Sequence, residues 1–307
     1  MSEVLELLGP IFLLVALGAG LQRVGFFRPG VVPGLNRLCY WVGLPALIVA
    51  SLARGGAGAG RAGWGGRELG VMAGATLAVA ALGWLASGAM KLRWSERGTF
   101  TQAFFRGNLA FVGLPILLKA PGVDATALML LLAPMMLLYN LLAVAALVAS
   151  RHGLGWATVR PLAGEWLRNP IIWASALGGL AYARGWVLSG ALGETVGLLG
   201  KMSVPLALVT IGAVLAALPT GAWRGATWAA VAGKVVLSPL LGWGLAAWLG
   251  IAGAERLMLL VGLACPTAVV SYTMAGEMGG DEALAAQAVV ASTLASAPVL
   301  ALILACA

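Results

Sequence analysis

The sequence predicts an all-α polytopic membrane protein: ten transmembrane helices in an inverted five-plus-five repeat, with broken helices four and nine crossing each other. Three observations carry that prediction. The first is composition: of 307 residues, 61% are hydrophobic and 10% charged, and the mean hydropathy is +0.97. A soluble domain carries about a quarter charged residues, so 19 Lys+Arg and 11 Asp+Glu are too few to cover a globule of this size. The second is a succession of apolar runs near the ~20 residues that cross a bilayer. The third is a set of prolines that recurs in the two halves. Composition excludes a soluble enzyme, a nucleic-acid binder and a secreted disulfide scaffold. An outer-membrane barrel is excluded too, because its strands would alternate apolar and polar residues.

Taken in order, spans are expected at 4–22, 31–53, 69–90, 99–119, 124–149, 169–187, 192–217, 226–250, 256–277 and 283–305. The start, Met1-Ser2-Glu3, lacks the basic residues of a signal peptide, so the first run is expected as a retained helix. With the N-terminus outside, ten loop cations (among them Arg23, Arg97, Arg151 and Arg224) face the cytoplasm and six (among them Arg61, Lys119 and Arg256) face out. The positive-inside rule then places both termini outside a cell (inner) membrane. The net charge of +8 is assigned to loops facing anionic lipid. Residues 1–150 form the first repeat, 151–168 a cytoplasmic linker and 169–307 the second, inverted repeat.

The loop 54–67 contains Gly58-Ala59-Gly60-Arg61-Ala62-Gly63, formally a GxGxxG. A dinucleotide fingerprint needs a strand before it and a helix beginning within it, so between two spans it reads as a flexible linker. The other glycines, of 44 in all, read as close helix packing. Cys39, Cys265 and Cys306 lie in apolar segments without CxxC spacing, and the one histidine, His152, is in a polar loop. Neither disulfides nor a metal centre is expected from that pattern, and no cofactor.

Pro10 and Pro170 are 160 residues apart, as are Pro45 and Pro205, while Pro115 and Pro266 are offset by 151. Pro134 and Pro298 make a weaker pair. Because five spans is an odd number, the second copy must cross the membrane in the opposite sense, the layout common in secondary transporters. Proline deep in a helix removes a hydrogen bond and crowds the preceding turn, and in lipid such a break survives only inside protein or beside a wet cavity. Spans four and nine carry prolines with polar neighbours: Arg106-Gly107-Asn108 leading to Gly113-Leu114-Pro115, and Cys265-Pro266-Thr267 leading to Ser271. If both unwind and cross, two half-helix N-termini, each with roughly half a positive charge, face the midplane and make an anion site. The alternative is a pair of kinked packing helices in which Asn108 and Ser271 merely satisfy backbone.

Gly34-Leu35-Asn36-Arg37 leading to Leu44-Pro45, Asn108 seven residues before Pro115, Arg168-Asn169-Pro170 and Cys265-Pro266-Thr267-Ala268 resemble the auxin efflux carrier family, with its plant PIN-type carriers and bacterial permeases. The resemblance covers essentially all ten spans. It implies a scaffold domain from helices 1, 2, 6 and 7 and a transport domain from helices 3–5 and 8–10, the layout shared with bile-acid transporters. It also implies an elevator-type carrier for carboxylates, auxin-like or malate- and malonate-like, with Asn108, Pro115 and Pro266 at the substrate and Asn169 contributing from the scaffold. The chain departs from the plant carriers in lacking a long loop between spans five and six and an acid within span three, where Glu68 stands only at the entrance.

Arg106, Lys201 and Lys234 fall within spans, where a charge costs at least about 2.5–3.5 kcal/mol on insertion scales. Arg106 is a candidate partner for a substrate carboxylate. Lys234 is a candidate to balance open carbonyls. Lys201, about a turn inside its span, can snorkel, and Pro45 and Pro205 support the scaffold. The 11 acids all lie in loops or near span ends, so no buried carboxylate offers a proton path. A sodium ion held by carbonyls with Thr267, Ser271 or Asn108 stays open. The expected partners are a small organic anion and the lipid bilayer, with sodium and a second copy of the chain as candidates. A sodium-coupled organic-anion symporter is the alternative function, and a channel or receptor on the same fold a further one. An intramembrane enzyme lacks a nucleophile–base set or paired aspartates.

Overall fold

Apolar segments with no water to bond their peptide groups have one local solution, the α-helix. The computed structural model describes residues 2–55, 66–117, 125–153, 155–218 and 223–306; among these described residues 85% are helical and no strand occurs. The first half contains α1 (Ser2–Arg23), α2 (Val31–Leu38), α3 (Leu44–Gly55), α4 (Gly66–Ala89), α5 (Trp94–Phe105), α6 (Leu114–Leu117) and α7 (Ala125–His152). The second contains α8 (Trp156–Arg168), α9 (Pro170–Arg184), α10 (Gly190–Ala217), α11 (Gly225–Ala232), α12 (Ser238–Trp248), α13 (Gly253–Ala264), α14 (Val270–Glu277) and α15 (Glu282–Ala305).

Three widened π-turns, Cys39–Gly43, Leu109–Gly113 and Gly233–Leu237, share one sequence cause. Each is followed by a residue and then a proline: Leu44-Pro45, Leu114-Pro115 and Ser238-Pro239. The ring of a proline crowds the carbonyl four residues back. The preceding amide therefore reaches one residue further: Leu44 N–H bonds Cys39 O, Leu114 N–H bonds Leu109 O and Ser238 N–H bonds Gly233 O. The helix bends through the proline without ending. Pro205 sits inside the continuous α10 with no such turn, so the matched pair Pro45 and Pro205 differ locally.

Six helical stretches among the described residues are long and apolar enough to cross a membrane: Val31–Leu52, Gly66–Ala89, Pro134–His152, Gly190–Ala217, Gly225–Trp248 and Glu282–Ala305. The runs expected at 99–119 and 256–277 are interrupted, which is why neither gives one long helix. Those at 4–22 and 169–187 fall on α1, whose apolar part is Gly9–Arg23, and on the short α9. Within the segment expected as a linker at 151–168, α7 runs on through His152 and Trp156–Arg168 is the helix α8, whose Leu162 and Trp166 pack against the core. The glycine-rich run expected as a linker, with Gly58, Gly60 and Gly63, lies outside the described residues.

Helix α1 packs along α10, α3 lies between α9 and α10, and α5 between α4 and α7. The α1–α10 contact is backbone against backbone. A Cβ on Gly18 would overlap Val209 O, and one on Gly212 would overlap Val15 O, the small-residue packing that helices in lipid use. Leu13, Leu85, Trp173, Trp243 and Trp248 project outward and exposed, the reverse of a soluble surface. At one end, Glu96 of α5 meets Arg224 at 2.6 Å and Arg224 meets Asp281 at 2.9 Å, tying the starts of α11 and α15 to α5. Burial pushes the Glu96 carboxyl up, but hydrogen bonds and charge from Arg93, and the charge of Arg224, outweigh it and hold the group below its ordinary value. Cys39 and Cys265 are buried, whereas Cys306, at the end of α15, is exposed.

Candidate functional site

Both interrupted helices stop at residues that refuse the next helical turn. After α5, Arg106 is extended (φ −78, ψ 104) and Gly107 follows without a Cβ. After α13, Cys265 (φ −51, ψ 141) leads into Pro266, which has no amide to donate. The two breaks face each other. Gly107 and Thr267 form an isolated antiparallel bridge, in which Asn108 N–H donates to Pro266 O at 2.8 Å and Ala268 N–H donates to Arg106 O at 3.1 Å. Each unwound segment thus supplies the backbone partners the other has lost, as burial away from water demands.

Side chains complete the exchange. Thr267 Oγ1 donates to Ala103 O at 2.9 Å, and Thr267 N–H donates to Ser292 Oγ at 2.8 Å. Gln102 Nε2 donates to Ser271 O at 3.0 Å. Lys234, wholly buried, reaches the carbonyl of Leu263 near the end of α13. A Cβ built on Gly113 would stand 2.8 Å from Cys265 Sγ, so glycine lets the two halves touch there. Cys265 Sγ itself lies 3.1 Å from Val261 O.

Beside this crossing lies a cavity of about 50 Å³, lined by Arg106, Asn108, Tyr139, Asn140 and Val270 and closed by Leu44, Leu47 and Ile48 of α3. That is room for a few waters, far less than the roughly 300–1,000 Å³ of small-molecule pockets. The Arg106 guanidinium is 4% exposed. It donates to Asn140 Oδ1 and lies against Met274 Sδ. No acid pairs with it among the described residues. Asn140 Nδ2 donates onward to Ser175 Oγ of α9 at 2.6 Å, so a buried polar chain runs from the break into a second group of helices. The Ser271 hydroxyl is buried without a hydrogen-bond partner among the described residues.

Of the residues expected from sequence, Arg106, Asn108, Gly113, Cys265, Pro266, Thr267 and Ser271 gather at or beside the crossing, with Lys234 against it. Pro115 is placed differently from the expectation that it marks a half-helix start. The first break lies at 106–108, and Leu114-Pro115 follows the π-turn within the second half-helix. Pro266 therefore faces Asn108, not Pro115, because glycine ends α5 while the π-turn absorbs the proline. Asn169 does not join the cavity: its Oδ1 caps α9 by accepting from Ile171 N–H at 2.9 Å, and Nδ2 points at Met278 Sδ. Lys201 and Pro205 are exposed on α10, and Pro45 is half-buried behind the cavity wall. Sequence reading passed over Gln102, Tyr139, Asn140 and Ser175. Their signal was available, since each is a polar side chain within an expected span. None of the curated proteins compared with the chain matches it. The long apolar helices make this an integral multi-pass membrane protein, and its second half, residues 158–304, matches the family model described as membrane transport protein, that of the auxin efflux carrier and PIN-like transporters.

Proposed function

We propose that the protein is a secondary transporter that moves a small organic anion, a carboxylate of auxin-like or malate- and malonate-like size, by elevator-type alternating access. The reading takes the chain as ten spans in two inverted halves, with the first, second, sixth and seventh spans as scaffold and the rest as the moving domain. One observation carries it: a buried guanidinium with no carboxylate partner among the described residues stands in a cavity where two broken helices meet. A buried cation without a counter-ion is costly, and a substrate carboxylate supplies the missing charge. Tyr139 lines the same cavity, and the starts of two half-helices add amide dipoles. The small cavity volume requires α3 to part from the crossing before an organic acid enters, which fits a domain that moves against a scaffold.

Titration calorimetry of the purified protein against mono- and dicarboxylates, paired with their neutral amides, tests this. Acids are expected to bind and amides not. Asn108→Ala is expected to weaken the acid about tenfold without loss of fold, since the Asn108 side chain makes no capping bond. Equal binding of acid and amide overturns the reading. The orientation is tested by cysteine labelling of intact cells, with a cysteine at Gly155 protected and one at Gly60 accessible from outside.

A further inference from the structure

Broken helices leave carbonyls as well as amides. At the end of α13, Pro266 has no N–H to return to Gly262 O. The Thr267 N–H that would continue to Leu263 O goes to Ser292 Oγ at 2.8 Å, and the Ala268 N–H that would reach Ala264 O goes to Arg106 O at 3.1 Å. Three successive carbonyls at the negative end of the helix dipole thus lack helical donors. In membrane carriers, such unwound carbonyl ends are where an alkali cation is held, because hard cations take oxygen ligands.

Here a side chain reaches that end. Lys234 is 0% exposed, and its Nζ donates to the Leu263 carbonyl. The same Nζ lies 3.3 Å from a Cβ built on Gly107, so the ammonium sits between the carbonyl end of α13 and the other break. No acid pairs with it among the described residues. The corresponding end of α5 is covered by the neutral Thr267 hydroxyl at 2.9 Å from Ala103 O. A cation on the freed carbonyl end is therefore specific to the second break, and it comes from Lys234 in the π-turn Gly233–Leu237.

We propose that Lys234 is a tethered cation standing where an inorganic monovalent cation would otherwise bind, so that the closed crossing forms without sodium or potassium. Lys234 acts here as a positioning residue, through the α13 carbonyls. The inference concerns the crossing alone and is tested without substrate, so its outcome is independent of which anion, if any, is carried.

The test is thermal unfolding of the purified full-length protein in detergent, in sodium, potassium or choline chloride at equal ionic strength. Wild type and Lys234→Arg are expected to unfold within about 1 °C of themselves in all three salts. Lys234→Ala, which leaves the carbonyls and opens space, is expected to unfold lower in choline and to recover by about 3 °C when sodium or potassium replaces it. If Lys234→Ala does not accumulate, Lys234→Gln takes its place, keeping a donor for Leu263 O but no charge, with the same expected response. Sodium stabilisation of wild type over choline overturns the proposal. So does a folded neutral variant with no preference for alkali cations over choline, since a purely structural lysine would leave no cation site behind.

Discussion

The two helix breaks do the same mechanical task with different chemistry. The first ends α5 at Gly107, where the missing Cβ matters because Lys234 and Gly262 O close in from the facing break. The second ends α13 at Pro266, where the missing amide does the work. The first carries its charge on the break itself, as Arg106, and its freed carbonyl at Ala103 takes a neutral hydroxyl. The second has no charge of its own and borrows Lys234 from the π-turn before α12. Similar backbone geometry thus arises from unlike residues. The difference teaches that the crossing is symmetric as architecture and asymmetric as electrostatics: one cation faces the cavity and the other faces the backbone.

Five substitutions sharpen or break that contrast. The largest effect is expected from Arg106→Gln, which removes the cation that faces the cavity. Anion affinity is expected to fall at least ~30-fold by calorimetry, with unfolding unchanged or improved because an uncompensated buried charge is gone. Pro115→Ala, away from the break, is expected to change affinity less than about threefold. The opposite order would return the site to the proline. Next is Gly113→Ala, whose methyl meets Cys265 Sγ. A loss of about 1–3 kcal/mol in chemical unfolding is expected, relieved in part in a Cys265→Ala background because Leu109 Cδ1 stands equally close; fully additive losses would mean the two halves do not press on each other there. Thr267→Val keeps the shape and removes the hydroxyl from Ala103 O, at about 1–2 kcal/mol. No loss would show that the first carbonyl end needs no cover and would dissolve the parallel with Lys234. The smallest effect belongs to Ser271→Ala. Its hydroxyl bonds nothing among the described residues, so stability is expected to stay within about 0.5 kcal/mol, while a drop in anion affinity would make it a substrate contact.

By itself, the sequence determined the class, several of the helical stretches and the identity of most residues at the crossing. Hydrophobic runs near bilayer length have no other stable form in lipid, and Arg106, Asn108 and Thr267 stand out because polar side chains there are costly. The positions of α4, α10 and α15 follow from the same arithmetic. Proline told less than it promised. It predicted breaks at both Pro115 and Pro266, yet only Pro266 lies at one, because whether a proline bends a helix through a π-turn or ends it depends on what can bond the freed groups. That choice is made across the molecule: Asn108 N–H finds Pro266 O, Ala268 N–H finds Arg106 O, and Lys234 finds Leu263 O. The first two pairings join residues more than a hundred positions apart and the third residues 29 apart, and such pairings leave no periodicity in the chain. Tertiary structure alone also withdrew Asn169 to a helix cap and brought Tyr139 and Asn140 to the cavity. A polar residue inside a span announces that it needs a partner, and only packing decides which partner it receives.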